Sequence, residues 1–133
     1  MSNLLLNGFD AALFLGFYYL NGKLKDKPLA LEWLQRACDA NNHHSSAAHR
    51  HLAKCLMDLD VGKQDCKAAY IHNELFKFLW EHYSKEKMSD NAEGSKATMY
   101  LTTKNKVMQN IGADDLESAK SELNFMKNNY VLK

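Results

Sequence analysis

The stretch AALFLGFYYLNGKLKDKPLALEWLQRA, residues 11–37, decides how the chain is read. Ala11, Leu15 and Tyr19 recur at four-residue steps, and Gly16 sets a small residue beside Leu15 on the same helical surface. Asn21-Gly22 then ends the pattern, with Gly22 expected to close the helix in the left-handed conformation. Asp26 stands where an N-cap accepts backbone N–H groups, and Pro28 falls in the first turn, where its missing N–H would have had no partner. Leu29, Ala30, Trp33, Leu34 and Ala37 follow at helical spacing. Two helices packed face to face across a short turn result, the first over about residues 10–20.

Working outward, the same periodicity continues and strand alternation is almost absent. Ser45 or Ser46 is the expected cap of a third helix carrying Ala48, Leu52, Cys55, Leu56 and Leu59, which ends near residues 60–62. A fourth runs from Lys63 or Gln64 to about Lys85 and holds Ala68, Ala69, Ile71, Leu75, Phe76, Leu79 and Tyr83; its many aromatics predict burial on two sides. Residues 84–94 are polar and read as a linker or a frayed helix start. A helix over 95–111 follows, then a last one in which Asp114 and Glu117 are spaced as a capping box ahead of Leu116, Ala119, Leu123 and Met126. The tail after Asn128 is expected to fray.

Leu15, Gly16 and Tyr19 recur 37 residues later as Leu52, Ala53 and Leu56, and Ala30 and Trp33 recur 38 residues later as Ala68 and Ile71. A second helix pair thus echoes the first, and pairs that cannot bury their own apolar faces stack. The order Ala11, Leu15, Gly16, Tyr19, Gly22, then Ala30, Trp33, Ala37 resembles the Sel-like repeat, a relative of the tetratricopeptide repeat. The turn after Gly22 is about two residues shorter than that pattern and lacks its second glycine. The expected fold is all-α, a right-handed α-α superhelix of two to three antiparallel helix hairpins in one domain spanning residues 1–133. Repeat one covers 10–42, a degenerate repeat two covers 46–83, and 95–129 form a divergent third hairpin or cap.

Composition agrees with a folded helical domain: 133 residues, 46% hydrophobic, one Pro and six Gly. Seventeen basic against 16 acidic residues leave a net charge of +1, which offers no bulk attraction to nucleic acid or to an anionic membrane. The apolar run before Leu20 is interrupted by Asn7 and Asp10 and has no basic segment ahead of it. A cytoplasmic protein is expected, or one whose signal peptide has been removed. Cys38, Cys55 and Cys66 match no metal-ligand spacing and read as reduced structural thiols.

Chemistry is sparsely signalled. Gly-rich phosphate loops and Gly-x-Ser-x-Gly are missing, and Glu74, Glu81 and His82 give no convergent acid and base, so no enzyme and no cofactor are expected. His43, His44, His49 and His51, flanked by Cys38 and Cys55, form the one dense group of ligand-type residues. Their spacing leads us to expect no metal, and the competing reading is a small metal or enzymatic protein around His44, His51 and Cys55. Phe17, Phe78 and Trp80 lie off the main apolar faces, and one or two of them are expected to reach solvent.

The resemblance implies that the first helix of each pair lines a concave groove. Asp10, Leu13, Phe17 and Leu20 would face it from the first helix, Ala47, Arg50, Lys54 and Met57 from the third, and Met99, Thr103 and Lys106 from the fifth. Arg50, Lys54 and Lys106 would make a basic strip for an acidic peptide or carboxylate. The expected function is non-catalytic protein–protein binding. Proteins resembling this family act as adaptors, as bacterial secretion-associated or host-interaction factors, and as immunity proteins that neutralise a toxin. A self-associating helical bundle, such as a homodimer, is the other competing reading.

Overall fold

A computed structural model of the chain describes residues 8–22, 26–39, 45–59, 64–88 and 95–129. Six helices occupy them: α1 Gly8–Asn21, α2 Lys27–Asp39, α3 Ser45–Met57, α4 Cys66–Ser84, α5 Ser95–Asn110 and α6 Ala113–Asn128. The described residues contain no strand, so the chain is all-α. Among them no helix is long and apolar enough to cross a membrane.

Local chemistry accounts for several boundaries. Asp26 caps α2 by accepting from Leu29 N–H at 3.1 Å. Gly22 does close α1, but not through a left-handed φ: its N–H donates to Tyr18 O at 2.7 Å, and a Cβ there would lie 2.4 Å from that same oxygen. Glycine is required at this turn by close approach. The left-handed cap belongs instead to Lys85, φ 63°, at the end of α4. That helix starts later than expected because the Asp65 carboxylate accepts from Ala68 N–H at 3.0 Å. The expected capping box of α6 is overturned. Gly112 is the N-cap and makes no side-chain cap bond, while Asp114 lies inside the first turn, where with Asp115 it complements the helix dipole. The expected cap at Ser45 or Ser46 also fails, since both already lie in α3, which stops at Met57.

The core is a series of clusters, each shared by neighbouring helices. Ala12 of α1, Leu34 and Ala37 of α2, and Ala48, Leu52 and Cys55 of α3 form the first. Met57, Ala69 and Val107 join α3, α4 and α5. Phe76, Ala97 and Tyr100 join α4 to α5 together with Met88, so the linker after α4 is anchored by a buried methionine. Ile71, Leu75, Ala119 and Leu123 join α4 to α6. As its aromatic content predicts, α4 is buried on more than one side. The last two helices differ from the earlier pairs: α1 packs on α2 and α3 on α4, whereas α5 and α6 both pack chiefly on α4.

Candidate functional site

Between the C-terminal end of α1, the start of α2, and the facing surfaces of α3 and α5 lies a cavity of about 430 Å³. Arg50, Lys54 and Met57 reach it from α3 because steps of three and four residues hold them on one face, and Asp58 reaches it from the turn that follows. Met99, Thr103 and Lys106 do the same from α5, with Thr98 and Thr102 beside them, while Leu20 and Lys27 close one end. Four cations against the single carboxylate of Asp58 make the cleft basic in a chain that is nearly neutral overall.

The two ends of the cleft differ. At one, Asp58 accepts from Lys54 Nζ at 3.1 Å and from Lys106 Nζ at 3.2 Å, and its backbone oxygen accepts from Lys27 Nζ at 2.9 Å. Burial pushes the Asp58 carboxyl up, but the two ammonium groups outweigh it and hold the group below its ordinary value. At the other end Arg50 has no carboxylate partner among the described residues. Its guanidinium lies 5.8 Å over the Phe76 ring, Nη1 rests on the Met99 sulfur, and Nε is buried without a hydrogen bond. Nη2 donates to His51 Nε2 at 2.8 Å. This assigns His51 the neutral form, consistent with burial and the nearby Arg50, Lys96 and Lys54 charges that bring its pKa down to about 4.

The cleft brings together Leu20, Arg50, Lys54, Met57, Met99, Thr103 and Lys106 of the expected groove. Met57 is 3% exposed and also part of the core, so it floors the cleft. Phe17 is half-buried, its ring edge-on to His51 at 4.3 Å, and it does not line the cavity. Leu13 packs into the first core cluster. The side chain of Asp10, like His43, His44 and the tail beyond Asn129, lies outside the described residues. Phe78 and Trp80 are half-buried; among the described residues the exposed aromatics are Phe14, Tyr18 and Phe125. Lys27, Asp58 and Thr102 were not legible as cleft residues, because each is placed by the crossing of helices and not by the pattern of its own.

The ligand-type residues are sorted differently from their order in the chain. His51 and Cys55 line the cleft, while Cys38 from α2, His49 from α3 and His72 from α4 converge in the interior. The Nδ1 atoms of His49 and His72 are 2.7 Å apart, so one ring donates and the other accepts. Burial, then the neighbouring His72, holds His49 well below its ordinary pKa. Burial brings His72 to about 4 against the opposing pull of Asp39 and Asp65. Both rings stay neutral in the folded protein while the unfolded chain takes up protons near pH 6.5. Stability in EDTA-containing buffer is therefore expected to be level above pH 7 and to fall between about pH 6.5 and 4. With His51, which is held low as well, the slope for the three rings approaches about 4 kcal/mol per pH unit. Urea midpoints across that range measure it, and a flat profile would show that the rings are not held neutral.

Comparison with protein-family models, with curated proteins and with solved structures finds no match to this chain.

Proposed function

We propose that the chain is a non-catalytic binding module whose basic cleft takes an acidic segment of a partner protein. In this reading the helix pairs stack as a right-handed superhelix, with α1, α3 and α5 on the concave side. Arg50 carries the reading. It is a half-buried cation held over an aromatic ring, with a buried Nε lacking a hydrogen bond and, among the described residues, no carboxylate of its own, facing a cleft that already contains three lysines. Such a guanidinium gains most from a carboxylate brought by a ligand. The threonine hydroxyls across the cleft suit an extended backbone. An adaptor and an immunity protein that neutralises a toxin would both use a groove of this kind.

Octaglutamate labelled for fluorescence anisotropy tests this directly. It is expected to bind the wild type, with affinity falling as sodium chloride rises from about 50 to about 300 mM. The double variant Arg50→Glu, Lys54→Glu is expected to lose about tenfold or more of that affinity. Binding unchanged in the double variant rejects the cleft as the site. Sedimentation of the same sample, with and without octaglutamate, separates this reading from a bundle whose self-association covers the cleft, since in that bundle the peptide would have to compete with the second copy.

A further inference from the structure

Across the interior from the cleft, Cys38, His49 and His72 are 5%, 3% and 9% exposed, and their donor atoms all lie within 4.8 Å of one another. Each comes from a different helix, so the cluster is made by the packing of α2, α3 and α4. The imidazole planes are only 23° apart and present their Nδ1 atoms to each other. In the register of the repeat, His49 stands where the first pair has Ala12, and His72 where it has Leu34. Those two residues belong to one apolar cluster. The second pair thus places two imidazoles at an equivalent contact, beside a thiol, in a region where unpaired polar groups are costly.

We propose that Cys38 Sγ, His49 Nδ1 and His72 Nδ1 form a binding site for a d10 transition-metal cation, copper(I) or zinc(II). One sulfur and two imidazole nitrogens are the donor set such ions select. Copper(I) with one thiolate and two neutral imidazoles carries no net charge, which suits a dry interior. Zinc(II) leaves one positive charge and takes a water as its fourth ligand. The cation replaces the proton between the rings: that proton moves to the outer nitrogen of its own ring, freeing both Nδ1 lone pairs. The Cys38 thiol proton leaves to solvent, one per ion bound. With metal–nitrogen bonds of about 2.0–2.1 Å the two Nδ1 atoms must separate to roughly 3.4 Å, a movement that side-chain rotation supplies.

The site does not depend on the cleft, and its test is separate. Full-length protein is stripped with a chelator and given one equivalent of zinc(II), or of copper(I) without oxygen, against a chromogenic competitor. At least one of the two ions is expected to be retained at one equivalent and to raise the melting temperature; the two arms identify the ion. Cys38→Ser and His72→Gln are expected to weaken retention about 100-fold or more, whereas Cys66→Ser, at the start of α4, keeps it. Cobalt(II) in the wild type supplies a readout independent of any variant, since a thiolate-to-cobalt charge-transfer band reports Cys38 directly. Retention of neither ion, retention unchanged by Cys38→Ser, or a cobalt(II) form without that band overturns the proposal.

Discussion

Replacing Gly16 by leucine is expected to unfold the domain at room temperature. A Cβ at Gly16 would lie 2.6 Å from Leu34 Cδ2 and 2.7 Å from Leu34 Cγ. Contact at the branch carbon means that the whole Leu34 side chain has to move, and Leu34 is 0% exposed. A leucine at Gly16 must therefore push α1 off α2 and uncover the cluster of Ala12, Leu34 and Ala37. Total stability for a domain is about 5–15 kcal/mol, and separating a helix pair removes much of it.

Gly16→Ala gives the sharper test because two effects oppose. Alanine gains about 1 kcal/mol in a helix interior, while overpacking costs about 1–3 kcal/mol. The crowding falls on a side chain without free space, so a net loss is expected. In a Leu34→Ala background the clash disappears, and the same substitution should change sign and stabilise. Urea denaturation of the four proteins measures this cycle. A stabilising Gly16→Ala in the wild-type background would show that α1 and α2 do not approach as described.

Phe76→Ala is expected to cost about 3–5 kcal/mol. Phe76 is 1% exposed and lies in the cluster with Met88, Ala97 and Tyr100, which ties both α5 and the segment after α4 to α4. Apart from the Ala69 and Val107 contact with Met57, the other ties between these helices are polar: Asn73 Nδ2 donates to Tyr100 O at 3.0 Å, and the Tyr100 hydroxyl donates to Glu74 Oε2. The cavity should therefore loosen α5 more than α2. Amide hydrogen exchange is expected to lose protection first in α5, with α1 and α2 little changed. Because the ring also supports the Arg50 guanidinium, octaglutamate affinity should fall as well, and Phe76→Leu should recover most of both losses. Equal loss of protection in all six helices would instead mean one cooperative unit.

Helix positions were legible because burial on one side of a helix repeats every three to four residues. Ala30, Leu34 and Ala37, and Leu75, Phe76 and Leu79, are all buried where that spacing puts them. Boundaries were less legible. Asp114 and Glu117 carry the right letters for a capping box, yet the helix starts two residues earlier than that box requires, at Ala113, because Gly112 takes an extended backbone as N-cap. Two members of the interior group, Cys38 and His49, were visible within the run of ligand-type residues. Its third interior member, His72, was not, because it comes from another helix 23 residues further along. Comparing the two pairs position by position could have found it, as histidines stand where the first pair has alanine and leucine.

The chain's own letters determined that it is helical, where most helices lie, and which face of each is apolar, since these follow from contacts among residues three or four apart. They also placed Arg50 and Lys54 on one helix face. Only tertiary structure decided that Lys106 shares Asp58 with Lys54, that Arg50 has no carboxylate partner among the described residues, and that Cys38 meets two histidines in the interior. Each of those depends on where one helix crosses another. Crossing is set by the summed packing of Gly16 on Leu34, Phe76 on Tyr100 and their like, and no single helix encodes it.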